Sequence, residues 1–160
     1  MFLSFLESIR YSGNLLPLSL LRIFLGYYFF SQGLGRVETN FLVEPQLAAL
    51  VNQGLLTTTA PEWLKYFFEN FVIPQWRLVA YVIVYCEFLI GLSFLLGFLV
   101  RPVALVGLLI SVLSFFGLGE PLREVYLLKI VLFVIMFWMG AGRCLGFDYF
   151  FYKRQRGLWW

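Results

Sequence analysis

Three ionisable side chains sit inside stretches of chain that are otherwise oily: Arg22, Glu87 and Lys129. Glu87 is the most conspicuous, near the middle of "LVAYVIVYCEFLIGLSFLLGFLVRP", residues 78–102. A charge at mid-bilayer on a lone helix costs at least about 2.5–3.5 kcal/mol, so such residues are expected to face a protein interior and to pair. Counted at helical rise from the outer surface, Arg22 lies roughly 18 Å down and Glu87 roughly 13 Å down, a gap that an arginine side chain closes. Lys129 lies only about 6 Å down, where it either reaches Glu87 or snorkels outward. The expected contact is therefore a buried Arg22–Glu87 pair. Two meanings stay open for it. One is a proton or ligand site, with a quinone headgroup as a candidate ligand; the other is an ion pair that fixes helix register.

These charges need elements to carry them, and composition says which kind. The 160 residues are 61% hydrophobic, 21% aromatic and 13% charged. Soluble domains are about half apolar and a quarter charged, so this chain falls with membrane proteins. Its length suggests one domain, 1–160. A net charge of +3 with no basic run on a soluble-looking segment excludes nucleic acid as a partner and leaves the lipid bilayer.

Four apolar runs approach the length of about 20 residues that a bilayer core needs: 15–34, 78–100, 103–118 and 125–142. The first is interrupted by Arg22 and followed by no A-x-A site, so it reads as a retained helix and not a signal peptide. Arg101-Pro102 closes the second run and restarts the chain. Between the first and second runs, residues 36–76 form a long outer loop. Within it "EPQLAALVNQGLL" and "PEWLKYFFENFVIP" predict short amphipathic helices that lie on the membrane surface or cap the bundle, parted by "TTTAP". The basic residues Arg10, Arg101, Arg143, Lys153, Arg154 and Arg156 put both termini inside, by the positive-inside rule.

The faces agree with an interior role. Ser19, Arg22, Gly26, Phe29 and Gly33 share one stripe; Ala80, Val84, Glu87 and Gly91 share another; Ala104, Gly107, Ser111 and Ser114 form a third. Small residues on one face let membrane helices approach closely. The expectation is an all-α integral membrane protein, a four-transmembrane-helix bundle.

What is absent narrows the chemistry. There is no histidine, which removes histidine-ligated haem, histidine zinc sites and histidine acid–base catalysis. The two cysteines, Cys86 and Cys144, form no C-x-x-C. At expected depths roughly 20 Å apart they are out of disulfide reach, and they read as free thiols. No metal site and no phosphate loop is expected.

Motifs then suggest a family. "LLRIFLGYYFFSQGLGR" (20–36), "CEFLIGLSFLLGFLVRPVA" (86–104) and "GAGRCLGFD" (140–148) resemble, in order and spacing, the signatures of the DoxX family. The intervening "PEWLKYFFENFVIPQWRLVAYV" is similar to the loop of members related to the small membrane subunit of thiosulfate:quinone oxidoreductase. The resemblance implies a four-helix protein of the bacterial inner membrane, working with other membrane subunits. Some members are linked to quinone-dependent sulfur oxidation or redox complexes. It makes Arg22, Glu87, Arg101, Arg143 and Asp148 the family-matched polar positions. Many members carry a histidine before the glycine near the end of the first helix and a lysine shortly after it, where this chain has Gln32 and Arg36. Gln32 hydrogen-bonds but cannot titrate. The expected intramembrane cluster is thus Arg22, Glu87, Lys129 and Gln32.

Three functions follow as expectations. The chain is a subunit of a quinone-linked redox complex, with no covalently bound cofactor and the redox group supplied by a partner. Alternatively it is a non-catalytic accessory subunit that stabilises an assembly. A small proton-coupled transporter ranks third.

Overall fold

The computed structural model describes residues 16–119 and 122–139, and the described elements are helical. Arg143, Cys144, Asp148 and the closing "GAGR" motif lie outside the described residues, as does the end of the fourth apolar run. In chain order the elements are α1 (Leu16–Glu38), α2 (Gln46–Thr57), α3 (Glu62–Phe67) running into a π-helical turn (Phe68–Val72), α4 (Trp76–Leu96), α5 (Val100–Gly117) and α6 (Arg123–Met139). The helices α4 and α5 are each long and apolar enough to cross a membrane.

Two boundaries differ from expectation. The first helix does not stop before Arg36 but runs on through Gly33 and Gly35 to Glu38. Packing overrides the weak helix propensity of glycine here, since a side chain at Gly33 would meet the Phe88 ring at 3.3 Å. The second helix ends earlier, at Leu96, because Gly97 turns left-handed at φ 66°. Leu99 also has positive φ, and α5 begins at Val100, so Arg101-Pro102 lies inside its first turn and does not mark the break.

The expected interior stripes are buried. Ser19, Arg22, Gly26, Phe29 and Gly33 on α1 and Ala80, Val84, Glu87 and Gly91 on α4 all face inward. The two helices pack antiparallel at backbone distance: a Cβ on Gly26 would lie 2.7 Å from the Leu95 amide nitrogen, and one on Gly91 2.7 Å from that of Phe30. α5 pairs with α6 in the same intimate way, where a Cβ on Gly107 would strike the Phe133 ring. The α4–α5 hairpin joins the two pairs.

The predicted short helices exist, and they cap one end of the bundle. Leu47, Val51, Leu64, Phe68 and Val72 are buried there with Ala80 and Val84 of α4. Each such side chain contributes about 1.5–3 kcal/mol by leaving water. The threonine turn fastens the cap, with the Thr58 hydroxyl donating to the Phe116 carbonyl at 2.7 Å. The π-helical turn shifts the register of its segment by one residue, as the Ile73 amide donates to the Phe68 carbonyl. Phe68 thereby packs on Gly117 while Trp63 and Tyr66 stay exposed. A second cluster, Leu25, Phe29, Phe94, Val100, Phe133 and Met136 among it, fills the opposite half. Glu87 lies in α4 between residues of the two clusters.

Substituting Gly91 by Ala is expected to destabilise the fold by about 1–3 kcal/mol, because the new methyl group meets backbone that cannot retreat. The same change at Gly35, which has nothing within 4 Å, serves as the control. Thermal unfolding in detergent reads both; equal melting temperatures for the two variants would refute the close α1–α4 seam.

Candidate functional site

The interlocking of α1 with α4 decides which cation meets Glu87. Gly26 lies against Leu95, Phe30 against Gly91 and Gly33 against Phe88, so each step up α1 is a step down α4. That register carries Arg22 to the level of Leu99, roughly 18 Å along the helix from Glu87. It brings Arg36 to Glu87 instead. The Arg36 Nε lies 3.1 Å from Glu87 Oε2. The expected Arg22–Glu87 contact is thus corrected: the partner is the next cation on the same stripe, two heptads further along α1. Arg22 is fully buried at the other end of the bundle, the end where Arg101 enters α5.

Burial makes the Arg36–Glu87 pair consequential. Glu87 is 4% exposed. Its Oε2 touches Arg36 as an ion pair without hydrogen-bond geometry, so this oxygen keeps an unused acceptor position. Arg36 also stacks over the Phe41 ring at 4.8 Å. Tyr126 on α6 and Ser114 on α5 stand at the same cavity as Arg36.

Lys129 comes to the same place from α6. It is 8% exposed and therefore does not snorkel. Its Nζ donates to Gln32 Oε1 at 3.1 Å, and Gln32 in turn donates to the Tyr28 hydroxyl at 3.0 Å. The rings of Tyr126, Phe29 and Tyr28 surround the ammonium at 4.9, 5.4 and 5.5 Å. Such cation–π contacts are worth about 2 kcal/mol each when desolvated. Lys129 and Arg36 both act electrostatically on Glu87. Of the four residues expected to cluster, the structure therefore joins Glu87, Lys129 and Gln32 and sends Arg22 elsewhere.

Arg36, Tyr126, Tyr28 and Ser114 complete the group. Sequence reasoning missed Arg36 as a site residue because the helix was ended too early. The signal was present, since the stripe Ser19, Arg22, Gly26, Phe29 and Gly33 continues to Arg36 at the next three-residue step. Tyr126 had a weaker signal, its three-residue spacing from Lys129 on α6.

Arg36, Glu87, Tyr126, Lys129 and Ser114 line a cavity of about 280 Å³, with Gln32 and Tyr28 behind Lys129. Its walls are otherwise apolar, with Ile90, Val79 and Ile83 from α4, Phe133 from α6, and the small residues Gly107, Ser111, Ser114 and Gly117 from α5. Ser111 and Ser114 occupy less volume than the leucines and phenylalanines of the core, which leaves the space open. An apolar cavity of about 150 Å³ holds benzene, so a six-membered ring fits here. Polar donors and an acceptor gathered at one wall of an apolar cavity are the form of a site for a lipophilic molecule with a polar head. A second cavity of about 210 Å³ lies between α1 and α6 and shares Phe29, Lys129 and Phe133 with the first. Cys86 is a free, partly buried thiol outside both. Among the described residues no group of histidine, cysteine and carboxylate side chains is placed to hold a metal.

Removing one member of a buried ion pair leaves an uncompensated charge, at about 3–5 kcal/mol. Arg36→Met is thus expected to destabilise strongly, and Glu87→Leu added to it to recover much of the loss. Combining Glu87→Leu with Arg22→Met instead should give additive effects. A double-mutant cycle of unfolding free energies measures both; coupling to Arg22 and none to Arg36 would reverse the assignment.

Comparison with known proteins agrees with this architecture. The model of the DoxX family matches residues 18–119, which takes in α1 to α5 with Arg36, Glu87 and the small-residue face of α5. No curated protein and no solved structure matches the chain.

Proposed function

The chain belongs to the DoxX family, and from that premise we propose that it is a quinone-binding membrane subunit of a larger redox complex. In this reading α1, α4, α5 and α6 all span the bilayer of a bacterial inner membrane with both termini inside. Family membership and the apolar α4 and α5 support a membrane location. For α1, the support is that its three charges, Arg22, Arg36 and Glu38, include two on the buried stripe.

One observation carries the ligand: the mostly apolar cavity of about 280 Å³ whose lining offers both a donor, Lys129, and an acceptor, Glu87. Lys129 supplies N–H donors, which suit the carbonyl oxygens of a quinone. Glu87 lines the cavity too, and a carboxylate suits the hydroxyl of a quinol. A bound quinone supplies the transfer of two electrons and two protons. The chain has no histidine and no C-x-x-C, so the electrons come from a redox group on a partner subunit. The role of this chain is then to seat the headgroup, exclude water from it and keep charge beside it.

An accessory role without catalysis is the second reading, favoured by that same lack of a redox group. A proton-coupled transporter fits less well. It needs a carboxyl group on a watered path, whereas Glu87 borders an apolar cavity with a guanidinium at 3.1 Å.

The test is mass spectrometry of the lipids that stay with the protein after gentle extraction, followed by quinone titration. Wild type is expected to retain a quinone. Lys129→Met should bind about ten- to a hundred-fold more weakly, as befits the loss of a hydrogen bond from a charged donor worth about 1.5–3 kcal/mol. Ser111→Phe, which fills the cavity, should abolish binding. Equal quinone affinity in all three proteins, or none in wild type, would favour the accessory role.

A further inference from the structure

The shape of the main cavity says how its occupant arrives. The end under the capping helices is the more covered one: Leu47, Val51 and Phe68 line the cavity and are buried, and Phe67 and Phe71 beside them line it at 38% and 42% exposure. The flank between α4 and α5 is different. Leu78 and Val82 on α4 and Leu109 on α5 line the same cavity, yet they are 57%, 50% and 64% exposed. A residue that faces both a cavity and the outside marks an opening. Leu78, Val82 and Leu109 at this opening are all apolar, and among the described residues α4 and α5 are the helices with membrane-span length and hydropathy. In a bilayer the opening therefore faces hydrocarbon, where acyl chains are the solvent and water is not.

The floor of the cavity, at Arg36, Glu87 and Lys129, is polar and carries an excess of positive charge. Arg36 and Lys129 bear two cations against the single carboxylate of Glu87. An electronegative head complements that floor, and an alkyl or isoprenoid chain complements the slot. Neither end alone uses both features.

We infer that the cavity is filled sideways from the bilayer, through a slot between α4 and α5, by an amphiphile. Its hydrogen-bonding head lies against Glu87 and Lys129, and its chain leaves between Val82 and Leu109. This rests on the quinone-binding reading for the identity of the head, but the slot itself does not. The two cavity-facing serines of α5, Ser111 and Ser114, form the inner wall past which the head must travel.

Two photoreactive probes separate the claims, both applied to the full chain reconstituted in phosphatidylcholine bilayers and read by peptide mass spectrometry. The first is a phosphatidylcholine with a diazirine midway along one acyl chain. The second is a benzoquinone with a ten-carbon chain ending in a diazirine. The acyl-chain probe is expected to label the 105–117 region at the buried Ser111 as well as the lipid-facing Leu109. The quinone probe is expected to label Leu78, Val82 or Leu109 with its chain end, in competition with unlabelled quinone. The double variant Val82→Trp/Leu109→Trp changes only exposed positions and should keep the wild-type melting temperature. It should reduce labelling of Ser111 by the acyl chain, and competable quinone labelling, at least about ten-fold. If the acyl chain labels Ser111 and the tryptophans block it while the quinone gives no competable labelling, the slot stands and the quinone reading falls. Labelling of Ser111 that the tryptophans leave unchanged overturns the slot, as does its absence in wild type. Quinone labelling confined to Leu47 and Val51 would place the entrance at the cap and overturn it equally.

Discussion

Taking a carboxylate out of water is costly enough that Glu87 determines what can surround it. Several kcal/mol of desolvation must be offset by a cation held at contact distance and by further polar neighbours. Arg36 at 3.1 Å provides the first, and Lys129 with Tyr126 and Gln32 provides the setting. Each of these residues comes from a helix with its own reason to be there: Arg36 and Gln32 from α1, Glu87 from α4, Tyr126 and Lys129 from α6. The polar cluster thus ties together helices that otherwise share two apolar clusters. Apolar contacts are poor at fixing register in a membrane, where lipid tails are as apolar as leucine. Backbone-close glycines and one charged cluster do that instead.

The same arrangement leaves room beside the charge. On α1 and α4 the small residues Gly26 and Gly91 are consumed in packing, because backbone atoms of the opposite helix fill the space that a Cβ would take. On α5 the small-residue stripe divides its duties. Gly107 receives the Phe133 ring and Gly117 receives Phe68, while Ser111 and Ser114 between them face open volume. One sequence feature, a row of small side chains, therefore produces a tight seam in one place and a cavity in another. The difference lies in whether a neighbour is long enough to reach in.

Much of this was legible in the sequence, for physical reasons. The buried stripes of α1, α4 and α5 follow from helical period and side-chain size, and Glu87 stands out because ionisable groups in apolar runs have few tolerable surroundings. The capping helices announce themselves through aromatic spacing and the "TTTAP" turn. The partner of Glu87 was misread because a depth count needs the helix ends, and those are set by tertiary contact. The first apolar run reads as ending at Leu34, yet the Phe88 ring packs on Gly33 and the helix runs on to Glu38. The depth count also set the outer ends of α1 and α4 at one level, whereas the glycine contacts let α4 run on past the end of α1, which brings Arg36 and not Arg22 to Glu87. Likewise the cavity was illegible, since spacing marks small residues but not what lies opposite them. Gln32 and Arg36, the two places where the chain departs from what the family resemblance implies, both fall in the cluster. The hydrogen-bonding network survives there through a side chain, Gln32, that cannot titrate.

Glu87 is paired across the bundle with Arg36, at the wall of the larger cavity. Solid-state NMR of the protein in bilayers tests it directly, through the dipolar coupling between the Glu87 side-chain carboxyl carbon and the arginine side-chain nitrogens. A strong coupling that disappears in Arg36→Lys and persists in Arg22→Lys is the predicted result. A coupling that persists in Arg36→Lys and disappears in Arg22→Lys would contradict the register on which the whole site is built.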